Sequence, residues 1–155
     1  MDRPERNLGF LLHEVARLMR KRFEQNVKHL GVTRSQCQVL AHLSRNDGIQ
    51  QGMLADLLEV EPITLTRILD RLEEAGLVER HPHPTDRRVR LLRLTEAAYP
   101  LLDEIFAIGA LTQGESMEGL PDEERERLFA TLSAMKVNLL DRCATPAVER
   151  RRSHG

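Results

Sequence analysis

The chain has 155 residues, 41% of them hydrophobic and only 3% aromatic, which predicts one domain with an aliphatic, helix-rich core. No apolar run approaches the roughly 20 residues that cross a bilayer, and we expect no secretory signal, so the composition excludes a membrane-spanning protein. The net charge of −1 excludes a uniformly basic nucleic-acid-binding chain, so any attraction to phosphate must come from a local patch.

Periodic apolar residues predict three helices in the first part of the chain. They cover residues 8–30, 33–45 and 51–58. Gly31 can end the first helix in a left-handed conformation, and Thr33 can cap the second through its side-chain oxygen. The Asn-Asp-Gly sequence at 46–48 predicts the turn before the third helix.

A fourth helix is predicted to start at Pro62, which suits the first helical position, and to end before Gly76. On a helical wheel its core face carries Leu65, Ile68, Leu69 and Leu72. The opposite face ends in Asp70 and Glu74, which phosphates would repel. Only the N-terminal two turns can therefore approach DNA closely, as the recognition helix of a helix-turn-helix does.

A short hairpin is predicted next, with strands over 77–81 and 88–94. Pro82 and Pro84 should keep its tip out of regular pairing, and a one-position slip in the apolar pattern predicts a bulge or a short ladder. From Arg80 to Thr95 the chain carries five arginines and one acid. A helix pair followed by such a hairpin is typical of a winged helix-turn-helix, so we expect a mainly α fold with a small β-hairpin wing.

Two further helices are predicted after the hairpin. Thr95 should cap the fifth, which runs to about Leu111 with a slight bend at Pro100. Gly114 and Gly119 indicate a loop. Pro121 opens the sixth helix, which carries an apolar stripe of Leu128, Leu132, Met135 and Leu139 at heptad-like spacing. Residues 144–155 are predicted to form a disordered tail.

The segments LTRILDRLEEAGLVER (65–80) and TDRRVRLLRLTEAA (85–98) resemble the MarR family of bacterial transcription regulators, and more closely its SlyA-like branch. The likeness covers about 8–140. It implies one domain over 1–143, with a winged lobe at 33–94 and dimerisation helices at 7–30 and 95–143. It also implies an intertwined homodimer, a repressor on pseudo-palindromic operator DNA, and release by a small aromatic acid or phenolic ligand.

Candidate DNA-binding residues lie on the fourth helix and the wing. They are Ile63, Thr64, Thr66, Arg67, Arg71, Asp86, Arg87, Arg88 and Arg90. Arg67 can bond guanine in a bidentate way, and Ile63 can pack on a thymine methyl group. Arg88 can enter a narrow minor groove, with Asp86 orienting its guanidinium. The alternative is an ordinary solvated helix, with Arg67 paired to a carboxylate, and a solvated charged turn.

Apolar residues on the first and last helices predict a homodimer, because a chain this small has little core to absorb both faces. The candidate interface residues are Leu8, Leu11, Leu12, Val15, Leu132, Met135 and Leu139. The alternative is that the two end helices pack against each other within one chain.

An effector pocket, suggested by the resemblance, would use Arg17, Arg20 and Cys37. The alternatives are that the two arginines are surface charges and that Cys37 is a small buried residue.

Cys37 and Cys143 form no disulfide framework, which fits a reducing cytoplasm. We expect no cofactor, metal or catalytic site, because no nucleophile or phosphate-loop motif is present and His81 and His83 make a weak zinc pair. The sequence leaves two other functions open. One is a metal- or redox-responsive DNA-binding regulator, and the other is a helical interaction protein that binds no DNA.

Overall fold

A computed structural model of the chain describes residues 6–145, and its architecture is the mainly α winged-helix fold expected from the sequence. The helices are α1 (Leu8–Val27), α2 (Arg34–Arg45), α3 (Gln51–Leu58), α4 (Pro62–Glu74), α5 (Ala98–Ser116) and α6 (Asp122–Cys143). A two-stranded antiparallel hairpin, β1 (Val78–Pro82) and β2 (Arg90–Leu94), lies between α4 and α5. The predicted tail lies outside the described residues except for its first two, whose N–H groups still bond to the end of α6.

The chain divides into two compact units, one ending at Ser116 and the other beginning at Met117. The first unit contains the winged-helix elements together with α1 and α5. The second contains α6, none of whose residues is buried. None of the helices within 6–145 is long and apolar enough to cross a membrane.

The first helix boundaries follow the predicted capping residues. Gly31 has φ of 70° and ends a single 3-10 turn that follows α1. The Thr33 side chain accepts a hydrogen bond from the Gln36 N–H at 3.1 Å, and the Gln36 side chain accepts one from the Thr33 N–H at 3.0 Å. Because two otherwise unpaired backbone donors are satisfied, this capping box sets the start of α2.

The core of the first unit is aliphatic, as the low aromatic content predicts. Its largest fully buried side chains come from α2, α3, α4 and β2: Leu40, Leu43, Leu54, Leu65, Leu69, Leu72 and Leu92. The face of α4 predicted to point inward is therefore the one that packs. This packing fixes which side of α4 remains free for a ligand.

The hairpin differs from its prediction at the tip. Five residue pairs join the strands in continuous register from Val78 with Leu94 to Pro82 with Arg90, so the predicted bulge is wrong. The alternative of a short ladder fits better, because β2 begins at Arg90, two residues after the predicted start of that strand. Pro82 belongs to the ladder rather than the tip, because an end position tolerates a residue without an N–H. Leu91, whose spacing suggested the slip, faces the other side of the hairpin and forms an isolated bridge with Gln50.

The start and end of α5 also differ from the prediction. Thr95 does not cap the helix; its hydroxyl donates to the Gly76 carbonyl at 2.6 Å and so ties the end of β2 to the end of α4. The helix begins at Ala98, which leaves Pro100 in the first turn, where a missing N–H costs no helical hydrogen bond. Gly114 lies within α5, because the helix continues to Ser116.

Candidate DNA-binding surface

The N-terminal half of α4 presents a free face opposite its buried leucines. Leu65 and Leu69 are fully buried, whereas Ile63 is 61% exposed. Arg67 is exposed as well, and no carboxylate within 6–145 lies in ion-pair distance of it. The expected alternative pairing of Arg67 with Asp70 or Glu74 is therefore not the arrangement found. Thr64 and Arg71 are also exposed.

Thr66 has a different environment from the other predicted contact residues. Its hydroxyl donates to the Pro62 carbonyl at 3.0 Å and accepts from the Gln51 amide at 3.1 Å. These bonds join the start of α3 to the first turns of α4. Thr66 therefore braces the two helices. Because its hydroxyl proton is already donated to Pro62, a contact of Thr66 with DNA would have to use the remaining lone pair.

The wing is fixed to the recognition helix by Arg80. Its guanidinium contacts Asp70 and bonds Glu73 at 3.2 Å, and its side chain is only 19% exposed. Partial desolvation opposes ionisation, but hydrogen bonds and the charges of both carboxylates outweigh it and raise the pKa of Arg80. The charge of Arg80, one of the five hairpin arginines, is thus already neutralised. Asp70, one of the two acids predicted to repel phosphate from the later turns of α4, holds the wing in place.

We expect replacement of Arg80 by glutamine to lower the free energy of unfolding by about 0.5–1.5 kcal/mol. The matched control is Arg93→Gln in β2, because Arg93 makes one distant contact with Asp47 at 3.8 Å. That control should change stability by less than about 0.5 kcal/mol. Urea unfolding of both variants measures the difference, and equal losses would contradict a bracing role for Arg80.

The tip of the wing is ordered by the side chain of His83. Its Nδ1 accepts the backbone N–H groups of Thr85 and Asp86, each at 3.2 Å, and lies 3.3 Å from the Thr85 hydroxyl. The His83 N–H donates to the Val89 carbonyl at 3.1 Å, and the Val89 N–H donates to the Asp86 carbonyl at 3.2 Å. The tip is therefore a closed, hydrogen-bonded turn rather than a loose loop.

Asp86 contacts Arg88 in another way than the sequence suggested. Asp86 Oδ1 accepts the backbone N–H of Arg88 at 3.0 Å, so the carboxylate shapes the chain and leaves the guanidinium exposed. Arg87 and Arg90 are exposed too. The wing thus carries three arginines whose cationic ends face solvent, on a backbone held by local hydrogen bonds.

A recess of about 360 Å³ joins the wing to the helix pair. Arg88 and Arg90 line it together with Gln51 at the start of α3 and Pro62 at the start of α4. The structure thus brings part of the predicted wing site to the N-terminal ends of both helices of the helix-turn-helix. Contact of these residues with DNA stays a prediction.

A second cleft, of about 500 Å³, lies among α1, α2 and α5. Its walls include Met19, Phe23 and Phe106, and Arg20 and Cys37 are part of its lining. Burial raises the pKa of the Cys37 thiol to about 11, so the thiolate that oxidants attack is scarce at neutral pH.

Several predicted residues lie outside these two sites. Arg17 does not line the cleft, although it shares α1 with Arg20. Cys143 is exposed near the end of α6. His81 contacts Glu79 at 3.0 Å, and within 6–145 no group of three metal-ligating side chains occurs.

The predicted interface residues on the end helices are largely accessible. On α1, Leu8, Leu11, Leu12 and Val15 are all exposed. On α6, Leu132 and Leu139 are exposed and Met135 is partly buried. Each helix therefore keeps an apolar face available to a partner, and the interface itself stays a prediction.

These features define a winged helix-turn-helix with an arginine-bearing wing. Residues 30–89, which hold the helix-turn-helix and most of the wing, match the model of the MarR family. A mutant of MarR from E. coli is 29% identical over 83% of this chain and 96% of that chain, with a TM-score of 0.79. The SlyA-like branch stays a prediction.

Two further structures contain ligands. A mutant of E. coli MarR complexed with operator DNA is 29% identical, covers 83% of this chain and 92% of that chain, and has a TM-score of 0.71. CouR from Rhodococcus jostii RHA1, bound to p-coumaroyl-CoA, is 25% identical over 87% of this chain and 95% of that chain, with a TM-score of 0.73.

Three residues that organise the surface were not among the predicted site residues: Gln51, Arg80 and His83. Arg80 was counted only as one more positive charge, and His83 only as a weak metal ligand. A signal for His83 was present, since a side chain that can accept amide hydrogen bonds stands between two prolines at a hairpin tip. The partners of Gln51 and Arg80 are distant in sequence and carried no comparable signal.

Proposed function

We propose that the protein is a homodimeric DNA-binding transcription regulator of the MarR type that binds pseudo-palindromic operator DNA. The observation that carries the proposal is the exposed, cationic surface shared by the start of α4 and the wing, within a segment that matches the MarR family. Arg67 and Ile63 would read base edges in the major groove, and Arg88 would enter the adjacent minor groove.

The dimer is proposed because one recognition helix reads too few bases for selective binding. Two copies related by a twofold axis would present two helices to successive major grooves about one helical turn apart. The exposed apolar residues of α1, and separately those of α6, are available for a second copy to cover. A mutant of E. coli MarR, which is similar in fold to this chain, has been solved in complex with operator DNA.

The test of this function is selection of bound fragments from random double-stranded DNA, combined with light scattering of the free protein. We expect an inverted repeat with a half-site spacing near 10 base pairs and a dimeric mass at micromolar concentration. Enrichment of no sequence at low salt would reject DNA recognition. A monomeric mass, or a selected site without symmetry, would reject the dimer.

The cleft among α1, α2 and α5 is proposed to hold a small aromatic acid that lowers DNA affinity. Phe23, Phe106 and Met19 offer apolar walls, and Arg20 offers a cation that has no ion-pair partner within 6–145. Arg34 also lines the cleft but is engaged by Glu24 at 3.1 Å. Release would follow if the ligand binds more tightly to a conformation that does not fit the operator.

We expect p-coumarate, the acid portion of the ligand of CouR, to serve as a probe of this cleft. Arg20→Gln should weaken its binding by about tenfold to hundredfold, since a charge-assisted hydrogen bond contributes roughly 1.5–3 kcal/mol. Arg17→Gln, on the same helix but outside the cleft, is the control and should bind as the wild type does. Calorimetry of the free proteins measures both, and an equal affinity in the two variants would remove Arg20 from the site.

A further inference from the structure

We propose that His83 is a positioning residue of the wing, whose neutral imidazole holds the turn that presents Arg87 and Arg88 to DNA. The inference rests on the proposed DNA-binding function. It adds a proton-sensitive element to the wing, because the imidazole can accept the amide hydrogen bonds of Thr85 and Asp86 only while Nδ1 is unprotonated.

The protonation state follows from the direction of the hydrogen bonds. Backbone N–H groups only donate, and those of Thr85 and Asp86 both point to Nδ1 of His83 at 3.2 Å. Nδ1 must therefore carry a lone pair, and the ring proton must be on Nε2. If Nδ1 were protonated, its hydrogen would clash with the N–H hydrogens of Thr85 and Asp86. Both amides would then lose Nδ1 as their acceptor.

The surroundings of His83 transmit this change to the arginines. Pro82 and Pro84 restrict the backbone on both sides of His83. Asp86, held through its own N–H by the imidazole, accepts the N–H of Arg88 at 3.0 Å. The hydrogen bonds thus run from His83 through Asp86 to Arg88, and loss of the first releases the segment that carries the arginine.

His83 is flanked in the sequence by charged groups of the hairpin. They are the carboxylate of Asp86 and the guanidinium groups of Arg87, Arg88 and Arg90, together with the neighbouring pair of His81 and Glu79. Within 6–145 the hydrogen bonds of His83 also stay inside the hairpin.

Protonation has two opposing effects on DNA binding, which can be separated. An added positive charge strengthens binding to any DNA through the phosphates. Loss of the turn weakens only the contacts that need Arg88 in a defined place. The ratio of operator affinity to random-DNA affinity isolates the second effect, since the charge contributes equally to both.

The test compares the wild type with His83→Asn and His83→Ala. An asparagine side-chain oxygen accepts the N–H two residues ahead in an Asx turn and does not titrate, so it should retain the turn at every pH. Between pH 7.5 and pH 5.5, we expect the affinity ratio of the wild type to fall by about threefold to tenfold, because only the fraction with a neutral imidazole is competent.

The ratio for His83→Asn should stay constant over this range, and His83→Ala should show a ratio about fivefold lower than the wild type already at pH 7.5. His81 and all other titratable groups are common to the three proteins and cancel in the comparison. Equal pH dependence in the wild type and His83→Asn would overturn the proposal, as would wild-type selectivity in His83→Ala at pH 7.5.

A measurement without DNA separates this inference from the proposed function. In nitrogen-15 NMR spectra of the free wild type, the amides of Thr85 and Asp86 should shift as the His83 ring titrates, and the ring should be in the Nε2–H form at pH 7.5. The same amides in His83→Asn should not respond. Absence of the coupling in the wild type overturns the turn mechanism, whereas its presence in a protein that binds no operator supports the mechanism and rejects the DNA-binding function.

Discussion

Replacing Leu69 by alanine should lower the free energy of unfolding by about 2–5 kcal/mol, because the side chain is fully buried and its removal leaves a cavity in a close-packed core. Leu69 belongs to the face of α4 that packs inward, so its loss loosens the recognition helix together with the fold. Chemical denaturation of the purified variant measures the effect. A loss below about 1 kcal/mol would indicate that the core around α4 collapses to fill the space.

The control for Leu69→Ala is Ile63→Ala on the same helix. Leucine and isoleucine are isomers, so the two substitutions remove the same number of carbon atoms. Ile63, however, is 61% exposed. Stability should change by no more than about 0.5 kcal/mol in Ile63→Ala. If Ile63 packs on a base, the same variant should lose operator affinity, which would separate the binding face of α4 from its core face.

Replacing Arg88 by alanine should weaken operator binding by about tenfold to hundredfold, or roughly 1–3 kcal/mol, if the arginine occupies a narrow minor groove. Arg88 is exposed, and its backbone is held by Asp86, so the side chain should be available without a cost of refolding the wing. Fluorescence anisotropy with the selected operator measures the change. An unchanged affinity would remove the minor-groove role.

Two controls separate specific placement of Arg88 from its charge. Arg93→Ala removes the same charge near the C-terminal end of β2, where Arg93 lies 3.8 Å from Asp47, and should reduce affinity less than Arg88→Ala does. Arg88→Lys keeps the charge but loses the planar, bidentate group. If binding depends only on charge, Arg88→Lys should bind as the wild type does and Arg93→Ala should match Arg88→Ala.

Much of the fold was predictable because its signals are local. The capping residue Thr33, the helix end at Gly31 and the start of α4 at Pro62 each act within a few residues of the chain. The 3.6-residue periodicity then identified Leu65, Leu69 and Leu72 as the buried face. The predictions failed where two elements meet: Thr95 was expected to cap its own helix, but its hydroxyl bonds to Gly76, nineteen residues earlier.

The candidate DNA-binding residues could be named from the sequence because free arginines on a helix start and a hairpin tip are chemically distinctive. The residues that hold them in place could not be identified in this way. Arg80 has the same side chain as Arg88, yet one is held by Asp70 and Glu73 and the other is exposed. Composition assigns both the same charge, and only the crossing of β1 beside α4 distinguishes them.

The mainly α winged-helix fold, the buried face of α4 and the types of side chain on its free face could be predicted from the sequence, because local capping and apolar periodicity specify helices and their inward faces. Which of these side chains are free and which hold others in place depends on contacts between elements of the folded chain. Thr66, Arg80 and His83 acquire their roles from partners that folding brings within hydrogen-bond distance. Such pairings depend on three-dimensional proximity, which neither residue type nor spacing specifies.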